Sequence, residues 1–387
     1  MHLRKLRYIK GIINRKVLLT GLLMALFMYF GKNLSENMGQ ETRGSGEIKE
    51  HFPDSRNAVH TILTRRKSST PKSGVKQYVK IKEIDKHGCE NWFEDTFEEN
   101  LDVILKYPRG IYSKYLENLG GYLTQPKTIM TSFPVIVTAA SSSFYMVSQG
   151  LLKSLHQILL PRYKQIKIVY YDLGLTEIQY EELVKYCKCE VRKFPFKKFP
   201  QHIRQLQLYT WKPLIVKMLL MEFGWVWWMD SSVRFITNDL DRALKYSKDN
   251  SFLFLTYGVS LSVAKQTARQ TMEYLSEDPC KFRHFGEIEA TFMLFHFDRV
   301  TNILIDQWAS CAINKECMAP SGANMLLHCN ITVESDGRCH RYDQSVISIF
   351  LRRLYHDQND YPLVDVPFHI HEIIRGDEVS YFQSKLV

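Results

Sequence analysis

Short apolar runs alternate with helical patterns between residues 134 and 354 of this 387-residue chain. Consecutive apolar residues predict strands buried on both faces, and apolar residues at helical spacing predict helices. Predicted strands cover residues 134–139, 166–171, 190–194, 225–229, 252–256 and 292–297, and predicted helices cover 145–159, 176 onwards, 209–223, 300–309 and 343–354. The alternation predicts an α/β fold with a doubly wound, mostly parallel central sheet and flanking helices.

Local signals support several of these boundaries. Thr176 and Gln179 have the spacing of a capping box, which predicts a helix start after the second strand. Pro213 is tolerated only in the first turn of its helix, and Gly224 is typical of a helix end. The next strand, Trp225–Met229, follows that glycine directly.

The amino-terminal pattern differs from the rest of the chain. Residues 1–16 contain six basic residues and no acid, which predicts a cytoplasmic tail, and residues 17–31 form an apolar segment. We expect this segment to be an uncleaved signal-anchor, with a cleaved signal peptide and secretion as the alternative. Residues 32–85 are polar and predict a lumenal stalk, and residues 86–387 predict the folded domain. The expected location is therefore the Golgi or endoplasmic reticulum membrane, as a single-pass type II protein with a lumenal carboxyl-terminal domain.

The net charge of +10 does not describe the folded part. Six basic residues lie in the tail and seven more lie between residues 65 and 82, where no acid occurs. The remaining residues carry a small negative net charge, so the sequence does not support a nucleic-acid partner.

Eight cysteines follow the apolar segment, and their spacing does not fit a zinc site. An even number in a lumenal chain favours disulfides, although the sequence does not fix their pairing. Asn330 begins the sequence Asn-Ile-Thr and is a predicted glycosylation site.

Asp230 is the strongest candidate for chemistry, because it follows a buried strand and ligands bind at the carboxyl ends of such strands. A carboxylate there can hold Mn²⁺ or Mg²⁺ against a diphosphate. Ser232 lies two residues further and would face the same side in an extended chain. Arg234 can bind phosphate, or can be a solvated strand residue.

Two further residues are candidates for ligand binding. Lys212 opens the helix before the Asp230 strand and can bind an anion, although a surface lysine is the plainer interpretation. Asp172 ends the second strand and can accept hydrogen bonds from a base or ribose, or can be a turn residue before Gly174.

The last candidates lie nearer the carboxyl terminus. Asp343 begins a helix and is predicted either as a catalytic residue near an acceptor or as a helix cap. His369 and His371 would share a side of a strand and could complete a metal shell with Asp230, although such histidines are usually structural.

Three segments carry a family resemblance: Tyr171–Leu175, Tyr209–Pro213 and Trp227–Phe235. They resemble a nematode-rich family of uncharacterised domains, domain of unknown function 1647, which is assigned to the GT-A superfamily of nucleotide-diphospho-sugar transferases. Together with the predicted anchor and stalk, they make the chain similar to a type II membrane glycosyltransferase from about Cys89 onwards.

The resemblance implies sugar transfer from a nucleotide-sugar donor to a lumenal glycan, protein or lipid acceptor. It implies that an Asp-x-Asp turn holds Mn²⁺ or Mg²⁺, with Asp230 as the first acid. Ser232 replaces the second acid, which weakens a site for a hard cation, and Arg234 or Lys212 could neutralise the diphosphate instead. It also implies an acceptor-side base, for which Asp343 is the candidate.

Two alternatives remain open. One is a catalytically silent GT-A-like domain of the Golgi lumen that binds a nucleotide or glycan or acts as a scaffold. The other is a hydrolase that uses Asp230 and Asp343 as an acid/base pair.

Overall fold

The computed structural model describes residues 93–94, 96–121, 125–127, 132–256, 259–323, 335–337, 339–356, 363–364 and 369–383. They belong to one compact unit, Val75–Val387. The predicted tail, anchor and stalk lie outside the described residues, as does Asn330. No helix among the described residues has the length and apolar content needed to cross a bilayer.

The described strands are β1 (Val135–Ala140), β2 (Ile168–Asp172), β3 (Glu190–Lys193), β4 (Trp225–Met229), β5 (Val233–Phe235), β6 (Phe252–Thr256), β7 (Ile288–His296), β8 (Leu363–Val364) and β9 (His371–Ile373). The described α-helices are α1 (Phe97–Leu105), α2 (Tyr145–Ser154), α3 (Glu177–Tyr186), α4 (Trp211–Phe223), α5 (Asp241–Asn250), α6 (Val263–Gln266), α7 (Arg269–Tyr274), α8 (Arg299–Ile313), α9 (Lys315–Met318) and α10 (Asp343–Leu354). A π-helical segment, Leu155–Leu159, continues α2. Short 3₁₀ helices cover Tyr112–Tyr115, Glu117–Leu119, Ser142–Phe144, Phe196–Lys198, Gln201–Arg204, Leu206–Leu208, Val259–Leu261 and Pro279–Phe282.

Seven strands form the central sheet in the order β3-β2-β1-β4-β7-β6-β8. The pairs β3–β2, β2–β1, β1–β4 and β6–β8 are parallel, whereas β7 runs antiparallel to both β4 and β6. The prediction of a mixed α/β fold with a mostly parallel sheet is therefore confirmed. Because β7 is reversed, its first residues lie at the same edge of the sheet as the carboxyl end of β4.

The strand β4 separates two hydrophobic cores. Val226 and Trp228 pack in the core that includes residues of α4, α8 and α10, whereas Trp225, Trp227 and Met229 pack in the core that includes α2 and α5. All five residues are buried, as the unbroken apolar run predicts. This burial on both faces fixes the point at which β4 ends and Asp230 begins.

Local sequence signals determine several helix ends. The predicted capping box forms between Thr176 and Gln179 at the start of α3. Pro213 is the third residue of α4, and Gly224 ends that helix with a φ of 73° in the left-handed region. The helix α4 therefore delivers the chain directly into β4.

Disulfides occur as predicted. Cys187 is bonded to Cys189 and Cys311 to Cys317, and Cys280 and Cys339 are also disulfide-bonded. The first pair joins residues just before β3, and the second joins α8 to α9.

Candidate functional site

Asp230 lies immediately after β4 at the edge of the sheet. Its backbone N–H donates to the carbonyl of Thr291 in β7 at 2.9 Å, which anchors the end of the strand. Its Oδ1 accepts a hydrogen bond from Trp228 Nε1 at 2.8 Å, and its side chain is 27% exposed. Oδ2 has no hydrogen-bond partner among the described residues. Asp230 therefore presents one free carboxylate oxygen at a rigid position.

Lys212, the second residue of α4, lies next to the side chain of Asp230. Its Nζ is 3.1 Å from Asp230 Oδ1 and 2.7 Å from Asp343 Oδ2, and it donates to the carbonyl of Ala290 at 3.2 Å. Its side chain is only 3% exposed. Burial lowers the pKa of Lys212, but the two carboxylates outweigh it and raise the pKa above its usual value. The Lys212 ammonium is therefore charged, and it contacts three oxygen atoms of the protein.

Asp343 is the first residue of α10 and is buried. The residue at the cap position is Tyr342, which has a φ of 48° in the left-handed region. Burial raises the pKa of Asp343, and the nearby Lys212 opposes that effect. The structure therefore brings three predicted site residues, Asp230, Lys212 and Asp343, into one cluster, which we call the Lys212 cluster.

Ser232 does not continue β4 in the extended conformation that the sequence suggested. Residues 231 and 232 form a turn closed by a hydrogen bond from Val233 N–H to the carbonyl of Asp230 at 3.0 Å. The Ser232 carbonyl accepts from Ile374 N–H at 2.9 Å, and the residue is buried. The expectation that Ser232 faces the same side as Asp230 because the chain is extended is wrong, since residues 231 and 232 form a turn.

Arg234 has a structural role, because its guanidinium holds three segments of the chain together, and we therefore call it a clamp. Its Nη1 donates to the carbonyls of Ser231 and Val233, and its Nη2 donates to the carbonyls of Val147 and Asp377. Its Nε donates to the Asp377 carboxylate at 3.2 Å. The five N–H groups of the guanidinium are therefore occupied, which leaves none for a phosphate.

Asp172 lies at the same sheet edge but is two strands away from Asp230, because β1 separates β2 from β4. Its Oδ1 accepts from the N–H groups of Gly174 and Leu175, both at 2.7 Å. Gly174 has a φ of 125°, a region that only glycine adopts without strain. The geometry is that of the turn residue that the sequence offered as the alternative.

The two histidines do not extend the Lys212 cluster. His369 is exposed before β9 with a φ of 51°, whereas His371 stacks on Phe292 with ring centres 3.8 Å apart. Burial lowers the pKa of His371 to about 4.

These residues do not fit a resident divalent cation. Oδ1 of Asp230 already contacts an ammonium and an indole N–H, and Ser232, two positions further, supplies no carboxylate. Across the part of the chain that the structure describes, no group of three or more His, Cys, Asp or Glu is placed to hold a metal ion.

Sequence reasoning missed two acids at the start of β7. Glu289 is buried, its Oε1 has no partner among the described residues, and burial raises its pKa, as does the charge of Asp230. Glu287 is fully buried, and burial raises its pKa to about 8 against the effect of Arg341. Gln344 donates to Glu287 Oε2 at 2.6 Å. The sequence signal for them was Glu287-Ile288-Glu289, two acids that come shortly before the apolar run Phe292–Phe295.

A third residue, Arg375, was also missed. It is exposed, and its charge lowers the pKa of both Glu289 and Tyr209, two groups on which Asp230 also acts. Its position depends on the pairing of β9 with β5, which no local sequence pattern indicates.

Comparison with solved structures finds glycosyltransferases at low similarity. Core-mannan synthase A from Aspergillus fumigatus, in a Mn/GDP form, is 10% identical, with 59% of this chain and 72% of that chain covered and a TM-score of 0.36. The mannosyltransferase Ktr4p from S. cerevisiae is 11% identical, with 77% and 81% covered and a TM-score of 0.36. The galactosyltransferase LgtC, in complex with donor and acceptor sugar analogues, is 14% identical, with 62% and 87% covered and a TM-score of 0.36. TM-scores of this size do not support a transfer of residue roles or activity.

Comparison of the sequence with family models gives a match to part of the chain. A search of curated proteins finds none. Residues 116–217, about a quarter of the chain, match the model of the family described as "Protein of unknown function (DUF1647)". The matched range includes the Tyr171–Leu175 and Tyr209–Pro213 motifs, and it confirms the family resemblance of this part of the chain.

Proposed function

We propose that this protein is a glycosyltransferase of the GT-A superfamily that moves a sugar from a nucleotide-diphospho-sugar to a glycan, protein or lipid acceptor. The observation that carries the proposal is the free Oδ2 of Asp230 at the carboxyl end of a buried strand, where ligands of α/β sheets bind. The motif resemblance supplies the reaction class. The free oxygen would accept hydrogen bonds from hydroxyl groups of the donor.

The Lys212 cluster explains how one aspartate keeps its position. Lys212 fixes Oδ1 of Asp230 and is fixed in turn by Asp343, so that Oδ2 remains directed by two contacts on the other oxygen. A preorganised acceptor of this kind costs no rearrangement when the donor binds. In this arrangement Asp343 acts on Asp230 through Lys212, and its predicted role as a base stays a prediction.

The proposed reaction breaks the bond between the anomeric carbon and the diphosphate oxygen. The electron pair leaves with the nucleoside diphosphate, the acceptor hydroxyl oxygen forms the new bond to that carbon, and its proton is released. Negative charge builds on the leaving diphosphate, so the site requires positive charge nearby.

The proposed location is the lumen of the secretory pathway. Disulfides such as Cys187–Cys189 and Cys311–Cys317 support it, because such bonds persist in oxidising compartments. Anchoring by residues 17–31 is part of the same proposal.

Calorimetry with the purified full-length chain tests the function. UDP-sugars and GDP-sugars are titrated into the wild type, into Asp230→Asn, and into Asp239→Asn as a control that removes an acid with a 76% exposed side chain. We expect Asp230→Asn to weaken donor binding at least tenfold and Asp239→Asn to leave it unchanged. Absence of donor binding by the wild type would contradict the proposal.

A second candidate is a catalytically silent domain that binds a nucleotide or glycan. The buried Ser232 at the second motif position favours it, because that position supplies no carboxylate. Release of free UDP or GDP from a bound donor, with and without acceptor glycans, separates the two. Donor binding without any turnover would favour the silent domain.

The bridging of Asp230 and Asp343 by one ammonium disfavours a hydrolase, because neither carboxyl group stands alone as an acid or base.

A further inference from the structure

The Lys212 cluster has the wrong charge for a diphosphate. Two carboxylates and one ammonium leave it with one net negative charge when all three groups are ionised. A donor diphosphate placed beside Asp230 would be repelled unless another cation lies close by. Lys212 cannot supply that charge because it is buried between the two aspartates, and the N–H groups of Arg234 are occupied.

The pairing of β5 with β9 places a different arginine beside Asp230. Val233 pairs with Ile373 in this antiparallel ladder, and Ile374 N–H donates to the carbonyl of Ser232 at 2.9 Å. Arg375 comes next, two residues after the end of β9, and continuing the register places it opposite the turn that follows Asp230. The antiparallel register therefore brings a guanidinium to the turn where the second acid is missing.

Arg234 holds these two turns together. It donates to the carbonyls of Ser231 and Val233 on one side and to the carbonyl and carboxylate of Asp377 on the other. Asp377 is two residues from Arg375, so the clamp fixes the backbone that carries Arg375. The motif arginine is thus a positioning residue for this segment.

Arg375 itself remains available. It is exposed and makes no hydrogen bond or ion pair with a described residue. The charge of Arg375 lowers the pKa of Glu289 and of Tyr209, and the charge of Asp230 raises both. The four side chains therefore lie in one neighbourhood. Gly376, with a φ of 72°, has open space around it, so a ligand can approach the turn.

We propose that Arg375 binds the diphosphate of the nucleotide-sugar donor and stabilises the charge of the leaving group without a bridging metal ion. A guanidinium can donate two parallel hydrogen bonds to phosphate oxygens, and the exposed Arg375 side chain is accessible to such a ligand. This inference rests on the proposed function. It assigns the diphosphate to the turn after β9, a part of the chain outside the motifs that suggested a transferase.

Calorimetry in EDTA with the purified full-length chain tests this assignment. UDP and GDP are titrated into the wild type, Arg375→Gln and Arg375→Lys, and uridine and guanosine serve as ligands without a diphosphate. Arg299→Gln is the matched control, because it removes another exposed guanidinium, with a 61% exposed side chain, from the opposite edge of the sheet.

We expect Arg375→Gln to weaken binding of the nucleoside diphosphate at least tenfold and to leave nucleoside binding unchanged. Arg375→Lys should give an intermediate affinity, because it keeps the charge and loses the paired hydrogen bonds. Arg299→Gln should match the wild type with every ligand.

The outcomes separate this inference from the proposed function. Wild-type affinity for UDP and GDP in Arg375→Gln, combined with weaker binding of UDP-sugars or GDP-sugars by Asp230→Asn, overturns the role of Arg375 alone. Binding that requires Mn²⁺ and is insensitive to Arg375→Gln overturns it as well. If the wild type binds none of these ligands, with or without Mn²⁺, both proposals fail.

Discussion

Lys212 is a buried cation whose charge is balanced by two aspartates from different elements. Asp230 comes from the end of β4 and Asp343 from the start of α10, while Lys212 belongs to α4. Removing one partner of a buried ion pair leaves an uncompensated charge, which costs about 3–5 kcal/mol. The cluster therefore joins three elements and makes their relative positions depend on one ammonium.

We predict that Lys212→Met destabilises the protein by about 3–5 kcal/mol, because it leaves Asp343 buried beside another acid without a counter-charge. Chemical denaturation of the full-length chain measures the loss. The double variant Lys212→Met/Asp343→Asn should lose less than the two single variants together, because the uncompensated charge is gone. A loss below about 1 kcal/mol in Lys212→Met would contradict this account.

At the scale of elements, helix α2 packs directly against the clamp residue Arg234. Gly150 lies at the contact, and a Cβ placed there would be 2.2 Å from Arg234 Nη2. Close approach therefore requires glycine at this helical position, although glycine inside a helix costs about 1 kcal/mol relative to alanine. The sheet formed by β5 and β9 depends on this contact, because Arg234 holds Asp377 from the same position.

We predict that Gly150→Ala destabilises the protein by about 1–3 kcal/mol, because Arg234 must move and lose hydrogen bonds. Thermal and chemical unfolding measure the change, and Lys153→Ala, at an exposed position of the same helix, is the control. Lys153→Ala should remain within about 0.5 kcal/mol of the wild type. Equal stability of the two variants would show that Arg234 does not depend on the space at Gly150.

Weaker UDP binding in Gly150→Ala is also expected, because the backbone that carries Arg375 is no longer held by Arg234.

In the molecule as a whole, buried titratable groups couple stability to pH. Burial raises the pKa of Glu287 to about 8, and burial lowers the pKa of His340 and His371 to about 4. The raised carboxyl binds more protons in the folded state, so its contribution is full below about pH 4.5 and is lost as pH rises through about 8. The histidines have the opposite sign, and their contribution is complete above their unfolded pKa of about 6.5.

We therefore predict that stability falls between pH 7 and pH 8.5 by about 1 kcal/mol from Glu287, in a range where the histidine contributions no longer change. Glu287→Gln should show a smaller fall, since its amide does not titrate. Denaturation of both proteins at several pH values in this range gives the two slopes. Identical slopes would rule out Glu287 as the titrating group.

Most helices and strands of this protein follow from local patterns along the chain. The apolar run Trp225–Met229 could only be a strand buried on both faces, and Gly224 and the Thr176 capping box marked helix boundaries that the structure reproduces. These features are local, because burial pattern and capping depend on residues within one or two turns of each other. Asp230 could be predicted as a site residue for the same reason, because it follows directly after the apolar run Trp225–Met229.

The assembly of the site depends on packing between distant parts of the chain. Lys212 and Asp343 are 131 positions apart in the chain and meet at 2.7 Å because α4 and α10 pack on the same face of the sheet. Arg234 looked like a phosphate ligand and is a clamp, whereas Arg375 gave no local signal and reaches the Asp230 edge through the β5–β9 register. Charge balance and hydrogen-bond occupancy depend on which distant residues become neighbours, and no pattern along the chain contains that information.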